Sequence, residues 1–187
     1  MVAESAEGGY LRLVTSFDDG HPLISAEQLQ ARVGELGRAI TRDYAGRRLV
    51  VVCVLRGAFV FAADLVRKIE LPLQVEFIAL KSYGDGQQSS GDVEVTHELA
   101  RSIDGCDILV VEDIVDSGIT WQFLRPYLLE GKPNSVKLCA LLHKAERTRV
   151  PTEIDYLGFS IEDKFVVGYG LDSAQDYRNL PELRFLE

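Results

Sequence analysis

The sequence predicts one α/β domain built on a mostly parallel central sheet that is flanked by helices. Apolar runs of strand length alternate with segments of helical periodicity from about residue 25 to about residue 160, which is typical of strand–helix–strand units. The chain has 187 residues, and 47% of them are hydrophobic, which is enough apolar material for one core. It contains no internal repeat, low-complexity tract or obvious linker, so residues 1–187 are expected to form a single domain.

The first predicted element is a helix over residues 26–44. Ser25 and Gln28 have the spacing of a capping box, in which each side chain accepts a hydrogen bond from the other residue's backbone N–H. The apolar residues that follow recur on one helical face: Leu29, Val33, Leu36, Ile40 and Tyr44.

The next segment predicts a strand, a tight turn and a helix. Residues 49–55 are continuously apolar, as expected for a strand that is covered on both faces. Arg56 and Gly57 end this run. A helical segment follows, with apolar residues at Phe61, Leu65, Val66 and Ile69. Residues 73–80 predict a second strand.

Residues 81–92 are predicted to form an exposed, mobile loop. They are rich in Gly, Ser, Gln and Asp, which favour turns and irregular structure. The segment is longer than the usual connection of about 4–6 residues, and this length indicates a lid over a site.

The second half of the chain predicts a further strand–helix–strand unit and then short strands. These elements are predicted at residues 108–111 (strand), 119–130 (helix), 136–142 (strand), 154–159 (strand) and 165–167 (strand). From Leu171 onward the sequence is polar and interrupted. We expect this tail to pack as irregular structure against the core.

Composition excludes several classes of protein. A net charge of −9 argues against a broad nucleic-acid surface, because phosphate backbones are bound by clustered Lys and Arg. No segment approaches the roughly 18 consecutive apolar residues of a membrane span, and the first residues lack the pattern of a secretory signal. A cytoplasmic protein without membrane contact is therefore expected. Cys53, Cys106 and Cys139 are widely spaced and suit reduced, buried thiols.

The segment ILVVEDIVDSGIT, residues 108–120, gives the strongest indication of chemistry. Ligands of open parallel sheets bind beyond the carboxyl ends of the strands, so residues 112–120 are expected to lie at a ligand site. Backbone N–H groups at the start of the next helix, together with the hydroxyls of Ser117 and Thr120, favour a phosphate monoester. Gly118 would let the backbone approach that ligand closely.

The acidic residues of this segment are expected to have a function other than phosphate binding, because carboxylates repel a phosphate. Glu112 and Asp113 suit the acceptance of hydrogen bonds from sugar hydroxyls and the coordination of Mg²⁺. Asp116 is then expected to point toward the reacting group. An alternative interpretation is that all three are surface acids and that Asp116 caps the helix.

Several segments of the chain also resemble a known family. VVEDIVDSGIT is similar to the phosphoribosyl pyrophosphate signature of type I phosphoribosyltransferases. The segments that are similar to its hypoxanthine-guanine branch are LRGAFVF (55–61), LKSYG (80–84), EDKFVVGYGLD (162–172) and YRNLP (177–181). The resemblance covers almost all of the chain after about residue 23.

The resemblance implies a fold, a reaction and an assembly. The fold would have a core of about residues 25–160, a lid at 81–92, and a small hood formed by the N-terminal segment and about 161–187. The reaction would transfer the phosphoribosyl group of phosphoribosyl pyrophosphate to N9 of hypoxanthine or guanine, with Mg²⁺ as cofactor, giving IMP or GMP and pyrophosphate. Relatives form dimers or tetramers, so a homodimer or homotetramer is expected.

By resemblance, the central segment would bind the sugar, its phosphate and the metal. Glu112 and Asp113 match the acids that bind the ribose hydroxyls and a magnesium ion, and Asp116 matches the catalytic residue that exchanges the proton on purine N7. The residues that match the 5′-phosphate loop are Ser117, Gly118, Ile119 and Thr120.

Four other residues match the purine site of the family. Lys144 matches the lysine that donates a hydrogen bond to the 6-oxo group. A 6-amino group could not accept a hydrogen bond from this ammonium. Phe165 matches the aromatic that stacks on the base, a contact worth about 1–3 kcal/mol. Val166 matches the backbone at the Watson–Crick edge, and Asp172 matches an acid near the second metal and the base. Alternatively, Lys144 would be a solvated surface lysine and Phe165 a core residue.

The pyrophosphate and lid residues follow from the remaining motifs. Arg56, Gly57 and Arg178 match the pyrophosphate contacts, although Arg56 stands where the family has a lysine, which leaves a side-chain contact less secure than a backbone one. In relatives the peptide bond that precedes this position can be cis. Ser82 and Tyr83 match the lid.

Two other classes of function remain as alternatives. One is a regulatory protein that uses the same fold to sense nucleotides and to bind nucleic acid. Two features argue against this hypothesis. They are the acidic net charge of the chain and the presence of the purine-site and pyrophosphate residues Lys144, Phe165, Asp172 and Arg178. The other is a phosphohydrolase with an aspartate nucleophile, which lacks the expected Asp-x-Asp pair.

Overall fold

The computed structural model describes residues 22–83 and 92–186. Its helices are α1 (Ala26–Asp43), α2 (Phe59–Val66) and α3 (Ile119–Glu130), with a short 3-10 helix at Ala145–Arg147. Its strands are β1 (Leu49–Leu55), β2 (Leu73–Tyr83), β3 (Asp92–His97), β4 (Asp107–Val115), β5 (Ser135–His143), β6 (Tyr156–Ser160), β7 (Val166–Val167) and β8 (Arg184–Phe185). None of the helices in these ranges is long and apolar enough to cross a membrane.

The main sheet has six strands in the order β3-β2-β1-β4-β5-β6. Its neighbours are parallel except for β2 and β3, which pair antiparallel. The mostly parallel sheet that the alternating pattern predicts is therefore confirmed. The antiparallel edge strand β3 was not predicted.

Helices cover both faces of this sheet. Leu49, Val51 and Cys53 of β1 pack into a core with α1 and α2, whereas Val50 and Val52 pack into a second core with α3. Because both faces are covered, every residue of β1 except the last is buried. This explains the continuous apolar run of the strand.

The start of α1 follows the prediction, whereas the end of β4 differs from it. The capping box of α1 is present, with Ser25 Oγ accepting from Gln28 N at 3.3 Å and Gln28 Oε1 accepting from Ser25 N at 2.8 Å. Strand β4 continues four residues beyond 111 to Val115, because its backbone keeps pairing with β5. Glu112 and Asp113 therefore lie inside a strand, not after it.

The predicted lid is shorter than expected at both ends. Strand β2 runs to Tyr83 and β3 begins at Asp92, so these ends of the segment 81–92 are paired with each other. The rest of the predicted lid, residues 84–91, lies outside the described residues. The N-terminal part of the predicted hood, residues 1–21, lies outside them as well.

The C-terminal residues form a second, two-stranded sheet. Strands β7 and β8 pair antiparallel, and Ile24 bridges to Leu183. The Tyr169 hydroxyl donates to Asp64 of α2 at 2.6 Å, which ties this part to the core. The tail is irregular for most of its length, as expected, but the strand β8 was not predicted.

The cysteines follow the prediction. Cys53, Cys106 and Cys139 are all buried and free. Burial raises the pKa of the Cys53 thiol to about 12, so this thiol stays protonated and unreactive at neutral pH.

Candidate active site

A large cleft of about 930 Å³ opens where strands β1, β4 and β5 end. A small cavity of about 300 Å³ adjoins it and shares Leu55, Asp113 and Asp116 as walls. The predicted site residues that line the large cleft are Arg56, Gly57, Asp113, Asp116, Lys144, Phe165, Val166, Asp172 and Arg178. Those that line the small cavity are Glu112, Asp113, Asp116, Ser117, Gly118 and Thr120. The fold thus brings together residues that are up to 122 positions apart in sequence, from Arg56 to Arg178.

The small cavity is formed by the turn between β4 and α3. Gly118 has a φ of 85° and gives α3 no side-chain cap, while Ser117 Oγ accepts a hydrogen bond from Ile119 N at 3.4 Å. A Cβ at this glycine would overlap Thr152 Oγ1 and lie 2.7 Å from Val150 O, so only glycine fits. Asp116 does not cap the helix, and the alternative interpretation of that residue is wrong. Backbone amides at a helix start suit an anion.

The acids of strand β4 carry strongly perturbed carboxyl groups. Glu112 is 4% exposed, and burial together with the neighbouring Asp113 charge raises its pKa to about 8. Burial also raises the pKa of Asp113, although backbone N–H groups donate to that carboxylate. Among residues 22–83 and 92–186, no group of three or more His, Cys, Asp or Glu side chains is arranged to hold a metal ion.

The loop after β1 lies directly against Asp113. A Cβ at Gly57 would overlap the Asp113 carboxylate, and a Cβ at Gly170 would overlap the carbonyl oxygen of Gly57. The Leu55–Arg56 peptide bond is cis, as it can be in relatives. Two glycines therefore let three chain segments meet at one corner of the cleft.

The opposite end of the cleft contains a buried ammonium group and an exposed ring. Lys144 follows β5 and is only 7% exposed, with its Nζ 3.5 Å from Asp163 Oδ1. Phe165 is 55% exposed, although it is a large apolar side chain. Neither alternative interpretation holds, because Lys144 is not solvated and Phe165 is not a core residue. Val166 is buried between them and the core.

A cluster of charged side chains forms the third wall. Arg178 Nη2 lies 2.6 Å from Asp172 Oδ1, and its Nη1 donates to Gly170 O at 2.7 Å. Gln175 Oε1 accepts from Arg178 Nη2 at 3.2 Å and from Arg56 Nη1 at 3.1 Å. The amide of Gln175 thus holds two guanidinium groups side by side.

Arg147 and Gln175 line the cleft, and Asp163 contacts Arg147; none of these polar residues was predicted. Arg147 Nε lies 2.9 Å from Asp116 Oδ1, and Arg147 Nη1 donates to Asp163 Oδ1 at 3.3 Å. Asp163 falls within the segment 162–172 that resembles the family, and Gln175 lies between Asp172 and Arg178. The motifs could therefore have indicated both residues. Ser82 and Tyr83 form the end of β2.

Comparison with known proteins shows the family to which this chain belongs. A family model for the phosphoribosyl transferase domain matches residues 25–174. The bifunctional protein TilS/HprT of Listeria monocytogenes is 46% identical over 165 residues, which are 88% of this chain and 26% of that protein. The chain therefore spans about a quarter of the length of that relative.

Relatives and structures of similar length also match. The hypoxanthine phosphoribosyltransferase of Salmonella typhimurium is 45% identical over 161 residues, which cover 85% of this chain and 90% of that protein. A crystal structure of a hypoxanthine-guanine phosphoribosyltransferase from Bacillus anthracis superposes with a TM-score of 0.87 at 44% identity, covering 92% of this chain and 100% of that one. The chain therefore belongs to the phosphoribosyltransferase family, in its hypoxanthine-guanine group.

Proposed function

We propose that this protein is a purine salvage enzyme that transfers the phosphoribosyl group of phosphoribosyl pyrophosphate to N9 of hypoxanthine, guanine or both, giving IMP or GMP and pyrophosphate. One observation carries the proposal. The cleft has a buried ammonium and an exposed aromatic ring at one end, the start of helix α3 in the adjoining cavity, and Asp116 between them. A flat base with an oxo group and a phosphorylated sugar fit these two ends.

The sugar and its phosphate would occupy the small cavity. Amides and hydroxyls of Ser117, Gly118, Ile119 and Thr120 hold the 5′-phosphate at the start of α3. Glu112 and Asp113 accept hydrogen bonds from the ribose hydroxyls. These contacts fix the anomeric carbon relative to the base, which converts the transfer into a reaction between oriented groups.

The base would lie between Lys144, Asp116 and Phe165. Lys144 donates to the 6-oxo group, and its burial makes an unmatched amino group costly, so 6-oxopurines are selected over adenine. Phe165 stacks on the ring with about 1–3 kcal/mol, and the Val166 backbone contacts its Watson–Crick edge. Asp116 takes or returns the N7 proton as N9 becomes the nucleophile.

Mg²⁺ is the proposed cofactor, and its proposed ligands are Glu112, Asp113 and Asp172. The raised pKa values of the two β4 acids fit a cation, because positive charge nearby would favour their ionised forms. Asp172 already pairs with Arg178 and accepts a hydrogen bond from Gln175 N at 2.8 Å. Glu112 and Asp113 are therefore the main proposed ligands of the metal ion. A site with two carboxylates is usual for Mg²⁺, which keeps waters and substrate phosphates as its other ligands. When bound, it supplies charge to the departing pyrophosphate.

The pyrophosphate would be held by Arg56, Gly57 and Arg178. The hydrogen bonds of Gln175 to both arginines support a side-chain contact by Arg56, in addition to its backbone. A lid at 81–92, including Ser82 and Tyr83, would exclude water that could otherwise attack the sugar cation. None of the comparisons or described contacts favours the nucleic-acid-binding regulator or the phosphohydrolase.

The decisive experiment supplies four bases, hypoxanthine, guanine, xanthine and adenine, each with phosphoribosyl pyrophosphate and Mg²⁺. We expect IMP, GMP or both, with one pyrophosphate for each nucleotide, and no AMP. Products are identified by chromatography and mass spectrometry. Formation of AMP alone would contradict the role of Lys144, and absence of any nucleotide would contradict the function.

Replacing Gln175 by leucine is expected to raise the KM for phosphoribosyl pyrophosphate by about three- to tenfold, which is the effect of losing one or two ordinary hydrogen bonds. The substitution removes the acceptor that holds Arg56 and Arg178 together, while the base contacts stay intact. Steady-state kinetics with each substrate varied in turn would measure it. Gln122→Leu, on the exposed side of α3, is the matched control. An unchanged KM for phosphoribosyl pyrophosphate would contradict the proposal that Gln175 holds the two arginines in place for this substrate.

We also propose a homodimer or homotetramer in the cytoplasm. Val75 and Phe77 are 37% and 43% exposed on the β2 face that pairs in register with the buried Val51 and Cys53. An apolar strip beside a covered face suits contact with a second copy. The buried free thiols suit a reducing compartment. Phe77→Lys is expected to lower the oligomeric state, which sedimentation analysis would measure; an unchanged state would place the interface elsewhere.

A further inference from the structure

Four charged side chains of alternating sign form a chain along the base end of the cleft. Lys144 Nζ lies 3.5 Å from Asp163 Oδ1, and the same oxygen lies 3.3 Å from Arg147 Nη1. Arg147 Nε in turn lies 2.9 Å from Asp116 Oδ1. Arg147 is therefore the link between the proposed proton-exchanging residue and the acid beside the proposed oxo-binding residue.

The backbone places Arg147 at this point. Lys144 N donates to Val115 O at 3.0 Å, which joins the end of β5 to the end of β4. Arg147 N donates back to Lys144 O at 3.0 Å and closes a helical turn, while the Thr148 hydroxyl reaches Asp116 O at 3.2 Å. The turn that follows Lys144 is thus fixed against the loop that contains Asp116.

This network does not serve mainly to stabilise the fold. The side chains of Arg147 and Asp163 are each 42% exposed, and that of Asp116 is 38% exposed. Ion pairs that water reaches to this extent contribute little to the free energy of unfolding. Their effect is on orientation.

The contact with Arg147 decides which oxygen of Asp116 faces the cleft. Asp116 Oδ1 is buried, and its contact with Arg147 Nε is a close ion pair without the alignment of a hydrogen bond. Because Oδ1 is inaccessible while the side chain is partly exposed, Oδ2 is the oxygen that a ligand can reach. A carboxylate without this partner could rotate about its Cβ–Cγ bond and present either oxygen.

We propose that Arg147 is a positioning residue: it holds Asp116 Oδ1 so that Oδ2 points to the base, and Asp163 keeps the Arg147 guanidinium in place. The inference rests on the proposed function, since it assumes that Asp116 meets the base. Arg147 itself does not need to touch the substrate. Its contribution is therefore made through Asp116 and disappears when Asp116 can no longer exchange a proton.

A double-mutant cycle tests this dependence. The variants are Arg147→Met, Asp116→Asn and the combination of both, compared by kcat/KM for the preferred base. We expect Arg147→Met alone to lower kcat/KM by about 10- to 100-fold, as for a reacting group displaced by about 1 Å. In the Asp116→Asn background, the same substitution is expected to cost less than about twofold.

Three further measurements separate positioning from a structural role. Arg147→Met should leave the Kd for phosphoribosyl pyrophosphate and the Tm unchanged, and Arg147→Lys should recover part of the lost rate because a cation remains. Arg149→Met removes an exposed guanidinium two residues away that has no partner among the described residues, and it should behave as the wild type.

Several outcomes would overturn the inference. They are a wild-type rate for Arg147→Met, an equal loss in both backgrounds, or a parallel fall in phosphoribosyl pyrophosphate affinity and Tm. Absence of any transfer by the wild-type enzyme is a separate result. It would refute the proposed function, and the role of Arg147 would fall with it.

Discussion

Asp116→Asn is expected to lower kcat by about 10²- to 10⁴-fold, which is the usual contribution of a positioned acid or base. The amide has nearly the same shape as the carboxylate, but it cannot take or return the N7 proton. Asp116 lies where the large cleft and the small cavity meet. Among the described carboxylates, only Asp113 also borders both cavities, and it lies against Gly57.

The measurement combines turnover with ligand binding. Affinity for phosphoribosyl pyrophosphate should be retained, because we propose that residues 117–120, and not Asp116, hold the phosphate. Glu146→Gln removes one exposed negative charge from the turn next to Arg147 and should leave kcat unchanged, which controls for a general loss of charge. An Asp116→Asn enzyme with wild-type kcat would remove Asp116 from its role.

The second large effect is expected for Gly57→Ala, with a loss of kcat/KM of about 100-fold or more, as when a reacting group is displaced by about 1 Å. The new methyl group would overlap the Asp113 carboxylate. Gly57 cannot retreat, because its carbonyl oxygen lies against Gly170. Asp113 must therefore rotate away from the cleft, while the buried core is untouched.

Gly34→Ala is the matched control for this substitution. A Cβ at Gly34 would meet only Arg38 Nη1 at 3.5 Å, and alanine favours a helix more than glycine does. It should keep full activity with an equal or higher Tm. Thermal unfolding of Gly57→Ala should show a folded protein with little activity. Full activity would show that the close approach of Gly57 to Asp113 has no functional role.

Elements with strong periodicity could be predicted from the sequence alone. Helix α3 begins and ends where its apolar spacing predicts, and β1 follows its seven-residue apolar run. Strand β3 was missed because it is an exposed edge strand, DVEVTH, whose few apolar residues follow a polar segment. Its pairing depends on β2, which the local pattern does not reveal.

The end of β4 shows a different limit. The apolar run stops at Val111, because Glu112 and Asp113 are acids, yet the backbone ladder with β5 continues to Val115. Backbone hydrogen bonds do not depend on side-chain polarity, so a hydropathy pattern shows where burial ends and not where the strand ends.

The motifs named many of the residues that the fold brings to the cleft, since motifs retain the order of residues along the chain, and the roles of these residues stay predictions. The residues that were missed act through partners distant in sequence: Lys144 and Asp163 are 19 positions apart, and Arg56 and Gln175 are 119 apart. No local pattern relates such positions. Arg147 looked like any exposed arginine, and only the fold brings it to Asp116.

The adjacency of β4 and β5 has a consequence for how base preference can change. Asp116 and Lys144 follow neighbouring parallel strands, whose separation is about 4.8 Å in every sheet. If the two residues contact the purine as we propose, the strand spacing fixes the distance between the backbone positions from which their side chains reach it. Substitutions that leave the pairing of β4 and β5 intact keep that distance, so we expect a change of preferred base to come from new functional groups at these two positions.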